Sequence, residues 1–205
     1  MTLEPYVLAT RNADKARELK ALFADRGHVI LTLDELGVDA TADEESLESE
    51  DTFEGNALAK AQHFAARLGR AVVADDSGLE VIALSGRPGV VSKRWSGRSE
   101  LSGKALDAAN NAHLIAAMAG LSDRRARYVC VAALCDGGIA ETFRGTTEGL
   151  ILEAPRGKGG FGYDPYFYSL ELGKTFGEAS LQEKQGVSHR ARAFRALLSA
   201  MAERG

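Results

Sequence analysis

Two adjacent acids, Asp75 and Asp76, stand in the run VVADDSGLEV, residues 72–81, where its apolar character stops. Aspartate, serine and glycine are turn formers, so one reading of the stretch is a polar turn after a buried strand. The other is a metal site, because hard cations such as Mg²⁺ take carboxylate oxygens on rigid supports. Strand ends in α/β proteins serve both purposes, and this stretch alone leaves both readings open.

Three further groups carry chemistry. In ATRNADK, Thr10 and Asn12 fall in a strand-to-helix turn and Lys15 in the first helical turn. Helix-start N–H groups attract anions, and a lysine there runs against the macrodipole preference, as expected if it serves a phosphate. GKGGFGYDP combines glycines that let backbone approach a ligand with Phe161, Tyr163 and Asp164. Its aromatics either stack on a nucleobase or pack into the core. EKQGVSHRARA gathers Lys184, Ser188, His189 and Arg190, donors suited to carbonyl or phosphate oxygens. CxxC pairs, HExxH, GxSxG and GxxxxGK[ST] are absent from the sequence. Zinc ribbons, zincins, α/β-hydrolases and P-loop enzymes therefore lose their main support. Scattered lysines, a glycine-aromatic loop and a carboxylate cluster suit a nucleoside triphosphate held on Mg²⁺.

These groups need elements to place them. Tyr6 to Thr10 reads as a strand, and a helix capped by Asn12 follows, with Leu19, Leu22 and Phe23 on its apolar face. Seven acids among the twelve residues from Asp43 to Glu54 read as a solvated, mobile loop. From Thr52 to Leu68 a helix carries Phe53, Ala57, Ala61, Phe64, Ala65 and Leu68 in one stripe, with Asn56 and Lys60 together on another face. AVVADD is a buried strand, Ser85 to Ser99 an ordered loop or lobe junction, and Leu101 to Met118 a helix. ARYVCVAALC, the turn DGG and IAETFRGTTEG form a hairpin. A last helix from Ser188 to about Ala202 turns Phe194, Leu197, Leu198 and Met201 inward. Alternating strands and helices in the first half and a hairpin in the second predict an α/β fold with a mixed sheet flanked by helices.

Composition bounds the rest. A chain of 205 residues, 45% hydrophobic and 26% charged, has the balance of a globular protein with a sizeable core. No apolar run approaches the ~20 residues of a membrane span. The start, MTLEPYVLATRN, lacks a signal-peptide layout, which predicts a cytoplasmic protein with no membrane partner. A net charge of −4 argues against duplex nucleic acid as a partner. Cys130 and Cys135, five apart in one strand, point to opposite faces roughly 16 Å apart, too far for a disulfide, and are expected as buried reduced thiols.

Taken in order, TRNADK, TFEGNALAKA, ADDSGLEV, GRPGV, GGFGYDP and EKQGVSHRARA resemble the ITPase-like family of inosine and xanthosine triphosphate pyrophosphatases, from about Val7 to Arg195. The resemblance implies a single domain over residues 1–205 in two lobes without a linker, a long mixed sheet, an active site between the lobes and a homodimer. It also implies Mg²⁺-dependent hydrolysis of deaminated purine nucleoside triphosphates (ITP, dITP, XTP) to the monophosphate and pyrophosphate. By resemblance, Thr10, Asn12 and Lys15 contact the triphosphate, joined by Asn56 and Lys60, and Arg11, Ala13 and Asp14 are substrate-binding residues of the same stretch. Glu48 and Asp76 are the metal ligands, with Asp75 nearby, and Asp76 is the proton acceptor. Ser77 contacts substrate, Phe161, Gly162, Tyr163 and Asp164 form the base-side loop, and Lys184, His189 and Arg190 complete the ligand contacts.

The sequence departs from the family pattern at Gly55, where the family commonly has Glu, and at Val91, Lys93 and Trp95. The remaining alternatives are a nucleotide-binding sensor without turnover and a pyrophosphatase for other modified nucleotides.

Overall fold

A computed structural model describes residues 5–203, apart from the Glu45 side chain. Met1–Glu4, part of the segment read above as lacking a signal layout, lie outside the described residues. The elements are β1 (Tyr6–Ala9), α1 (Ala13–Ala24), β2 (Ile30–Thr32), α2 (Phe53–Leu68), β3 (Val72–Val81), α3 (Gly103–Ala117), β4 (Arg125–Asp136), β5 (Ile139–Ile151), β6 (Phe167–Ser169), β7 (Lys174–Thr175), α4 (Leu181–Val187) and α5 (His189–Ala202). Short 3-10 turns cover Ala42–Glu48 and Gly89–Arg94.

Among the described residues the strands form one seven-stranded sheet in the order β2-β1-β3-β4-β5-β6-β7. β1 runs parallel to β2 and β3, and β6 antiparallel to β5 and β7, so the sheet is mixed as expected. The predicted hairpin forms: β4 and β5 are joined by Gly137 and Gly138 at φ 53° and 93°, a left-handed pair that glycine adopts without steric cost.

The chain forms two compact units. The first takes in the chain up to Asp76, Cys130–Gly145, and Arg190 onward. Its core gathers Leu8, Leu19, Phe23, Val73, Phe194 and Leu197, with Met201 packed against it, so α1 and α5 bury the faces read from their spacing. The second takes in Ser77–Val129 and Thr146–His189. Its core is built on Leu79, Leu114, Met118, Tyr128, Phe167 and Phe176.

Three expectations are corrected. β3 does not stop at the acids but runs on to Val81, so Asp75 and Asp76 lie inside a strand and form no turn. It is β1 that ends beside them: the register closes at Ala9↔Ala74, and Thr10 leaves the sheet. The acidic run is not a loose loop throughout, because Ala42–Glu48 winds into a 3-10 turn whose Thr41 and Glu44 form a reciprocal capping box. Lys184 lies in a separate helix, α4, whose start carries a second capping box between Ser180 and Glu183. Of the cysteines, both free, Cys130 is buried and Cys135 only half-buried.

Candidate active site

Four elements of the first unit bring charged side chains together. Asn12 caps α1, its Oδ1 accepting from the N–H groups of Asp14 at 2.9 Å and Lys15 at 3.0 Å. That cap satisfies the helix-start donors expected to be open to an anion. The capped turn sets the next rung of α1, where Lys15 Nζ lies 2.9 Å from Asp75 Oδ2. Three residues on, Glu18 accepts from Arg190 Nη1 of α5 at 2.5 Å, and Arg190 Nε stands 3.5 Å from Asp75 Oδ2. The four groups form a chain of alternating charge, Lys15, Asp75, Arg190, Glu18, all buried except for part of Lys15.

The neighbouring acids divide the work because successive strand residues face opposite ways. Asp75 also accepts a weak contact from the Cys130 thiol at 3.8 Å. Asp76 instead accepts from Asn56 Nδ2 of α2 at 2.9 Å, while Asn56 Oδ1 takes the Glu50 N–H at 2.9 Å. One turn along α2, Lys60 Nζ donates to Glu48 Oε1 at 2.6 Å and to the Asp75 carbonyl at 3.0 Å. Helical spacing thus puts Asn56 and Lys60 on one face, each on a different group of β3.

Electrostatics separate the groups further. Burial raises the Asp76 pKa, Lys15, Lys60 and Asn56 pull it down, Glu48 pushes it up, and the net shift is upward. Burial works hardest against the Lys15 ammonium and Arg190 adds to it, but Asp75, Asp76 and Glu48 together outweigh both, and its pKa is raised. The Arg190 guanidinium likewise loses by burial and gains more from Glu18 and Asp75. Asp75 is therefore a structural anion for two cations, and Asp76 is the carboxylate whose proton affinity the fold has increased.

Arg11 turns away from this cluster. Its guanidinium holds both Glu44 oxygens, at 3.1 and 2.8 Å, the Asp34 carboxylate at 2.8 Å and the Val38 carbonyl at 2.8 Å. It ties the turn after β1 to the 3-10 turn that carries Glu48. Gly55 also has a steric reason: a Cβ there would lie 2.9 Å from Glu50 Cβ.

Among the described residues, no group of three or more His, Cys, Asp and Glu side chains is arranged to hold a metal ion. Mg²⁺ does not demand one, since it commonly takes one or two carboxylates and fills its other positions with water and phosphate oxygens. Glu48 and Asp76 lie near enough for Glu48 to raise the Asp76 pKa, and both present hard oxygen donors. The two carboxylates could hold a divalent cation of this kind.

In the second unit the loop before β6 is pinned around Phe161 to Asp164. Asp164 Oδ2 accepts from Lys184 Nζ at 2.6 Å and from the Phe161 N–H at 3.0 Å, and Tyr128 donates to its Oδ1 at 3.3 Å. Tyr163 is a core residue, its hydroxyl donating to the Ser92 carbonyl at 2.7 Å. Phe161 is only partly buried, with the Lys184 ammonium 4.8 Å from its ring centroid. His189 stacks on Tyr128 with centroids 4.5 Å apart. Ser77 is a half-buried residue within β3. Ser188, expected to open the last helix, instead closes α4 and precedes α5. The sequence cluster of Lys184, His189 and Arg190 thus separates: the first two have their partners in this unit, and Arg190 holds Glu18 and Asp75 in the other.

Sequence reasoning missed Glu18 and the pair Asp107 and Asn111. Glu18 had a signal: it stands four residues before Leu22 beside the apolar stripe of α1, where a lone acid needs a buried partner. Asp107 and Asn111 had none, because their partner is backbone far along the chain.

The chain is similar to several known proteins over nearly its whole length. The chain is 48% identical over 197 residues to a dITP/XTP pyrophosphatase of Thermus thermophilus, covering 95% of this chain and 90% of that protein. It is 44% identical over 194 residues to the dITP/XTP pyrophosphatase of Geobacillus kaustophilus, covering 93% and 91%. The structure of the Staphylococcus aureus Ham1 protein matches with a TM-score of 0.83 at 35% identity over 98% of this chain and 100% of that one. A HAM1 protein from Coxiella burnetii matches with a TM-score of 0.82 at 36% identity over 97% and 98%. The resemblance drawn from six short motifs is borne out along the whole fold. Residues 6–200 match the model of the Ham1 family, and the chain belongs to that family.

Proposed function

We propose that this protein is a nucleoside triphosphate pyrophosphatase that hydrolyses ITP, dITP and XTP to the monophosphate and pyrophosphate, removing deaminated purines from the nucleotide pool. The observation that carries the proposal is the buried cluster around β3, where Asp76 has a raised pKa and two lysines stand close by. Relatives named dITP/XTP pyrophosphatase support the same reaction.

In this reading Lys15 and Lys60 bind phosphate oxygens and offset the charge of the pyrophosphate leaving group. Lys60 donates to Glu48 Oε1, an interaction that a triphosphate binding Lys60 would replace. Glu48 and Asp76 would hold Mg²⁺, which would supply charge neutralisation at the phosphate oxygens and a more acidic water. Asp76 accepts the proton of the water that attacks the α-phosphorus. A carboxylate with an ordinary pKa near 3.9 is a weak base at neutrality, and the upward shift at Asp76 brings it closer to the task. Asn56 keeps the Asp76 Oδ2 in place.

The base-side role falls to the second unit, with Phe161 as the stacking surface and Lys184 and His189 beside it. Inosine and xanthosine present a carbonyl at purine position six where adenine presents an amino group, so donors there reject adenine by stranding it against another donor. Thr10, Arg11, Asn12, Ala13, Asp14, Ser77, Gly162, Tyr163, Asp164 and Arg190 belong to the same proposal as residues that touch or shape the substrate site. The proposal also takes the chain as one functional domain, dimeric and cytoplasmic. No helix among the described residues is long and apolar enough to cross a membrane.

Pyrophosphate release measured with Mg²⁺ and ITP, XTP, GTP or ATP tests the proposal. Release from ITP and XTP far above that from ATP, abolished in Asp76→Asn, is the expected result; no release from any triphosphate would remove the enzymatic reading.

A further inference from the structure

α3 reaches the base-side loop through two side chains one helical turn apart. Asp107 Oδ2 accepts from the Gly162 N–H at 2.9 Å, and Asn111 Nδ2 donates to the Gly162 carbonyl at 2.8 Å. A spacing of four residues puts both on one helix face, so a single rigid element holds both backbone polar groups of one loop residue. Asn111 is buried and its Nδ2 also donates to the Asp107 carbonyl at 2.8 Å, which fixes the amide on the helix. Gly162 stands at φ 62°, a left-handed conformation that glycine adopts without steric cost. On either side, Asp164 holds the Phe161 N–H and Ser92 receives the Tyr163 hydroxyl.

We infer that Asp107 and Asn111 are positioning residues for base recognition, an inference that rests on the base-side role proposed above for this loop. By clamping Gly162 they fix the direction of the Phe161 ring before a base arrives, so binding does not have to order the loop. A second consequence concerns specificity. The Gly162 N–H is already taken by Asp107 and is not a donor for the purine carbonyl, which leaves that task to side chains and other backbone groups. Asp107 and Asn111 belong to the second unit and the phosphate-binding cluster to the first, so their effect is expected on ligands that carry a base.

Calorimetric binding of ITP in EDTA, with inorganic triphosphate as the companion ligand, tests the clamp in the full-length protein. Asp107→Ala and Asn111→Ala are each expected to weaken ITP about tenfold, the scale of one lost hydrogen bond, and to leave inorganic triphosphate unchanged. Asp107→Asn, whose Oδ1 still accepts from Gly162, is expected to stay within about twofold of wild type. ITP affinity unchanged in both alanine variants would overturn the inference alone. Equal weakening of both ligands would also overturn it, because that marks a general loss of structure. Wild-type protein that bound inorganic triphosphate but not ITP would overturn the base-side reading and the clamp with it.

Discussion

The Lys15 ammonium and the Asp75 carboxylate stand 2.9 Å apart with 15% and 1% of their side chains exposed. The same carboxylate lies 3.5 Å from Arg190 Nε, so one buried anion answers two cations. Removing it takes the ion-pair partner from Lys15 and leaves Arg190 with Glu18. Asp75→Ala is expected to destabilise the fold by about 3–5 kcal/mol, the range for breaking a buried ion pair from one side. Urea denaturation measures this, and a loss below about 1 kcal/mol would mean that water reaches the cluster.

The next residue behaves in the opposite way. Folding raises the Asp76 pKa, so the folded chain holds that proton more tightly than the unfolded chain does. The cost of ionising it is absent below the unfolded value of about 3.9, grows as pH rises to the folded value and is complete above it. Without divalent cation, Asp76→Asn is therefore expected to raise the melting temperature at pH 7 and to leave it unchanged at pH 3. The same variant loses activity by about a hundredfold or more, as for removal of a catalytic base. A melting temperature lowered at pH 7 would contradict the assignment.

Arg11 gives a third prediction. Its fork holds Glu44 on the 3-10 turn that also carries Glu48. Arg11→Ala is expected to cost about 1 kcal/mol of stability and to raise the Mg²⁺ concentration for half-maximal rate, with the ITP KM at saturating Mg²⁺ within about twofold. A large KM change at saturating metal would return Arg11 to direct substrate contact.

The base-side loop predicts a contrast between glycines. A Cβ on Gly160, at φ 70°, would lie 2.1 Å from Asp164 Oδ2, whereas one on Gly138, at φ 93°, meets nothing within 4 Å. Gly138→Ala carries only the left-handed backbone penalty of about 1 kcal/mol. Gly160→Ala must also displace a carboxylate held by Lys184 and Phe161, so it should cost more stability and weaken ITP. Equal effects in thermal melts would mean that the loop gives way freely.

Much of this was legible in sequence wherever the signal was local. Asn12 is the cap its position suggested, and Asp-Gly-Gly turns the hairpin. The buried faces of α1 and α5 follow their spacing. The acids of β3 were misplaced because a polar pair ends an apolar pattern, yet a strand continues wherever its polar groups have buried partners. Those partners, Lys15, Arg190 and Asn56, lie 60, 115 and 20 residues away in sequence. The 3-10 turn within the acidic run escaped for a similar reason, since Arg11, Lys60 and Arg67 neutralise it from other elements. α4 was legible after all, its Ser180 and Glu183 carrying the spacing of a capping box.

The central claim is that water attacks the α-phosphorus with Asp76 taking its proton. Hydrolysis of ITP in ¹⁸O-labelled water, with products resolved by mass spectrometry, tests it most directly. The expected result is label in the inosine monophosphate, unlabelled pyrophosphate and product lower by about a hundredfold or more from Asp76→Asn. Labelled pyrophosphate, or release of inorganic phosphate with inosine diphosphate, would contradict it.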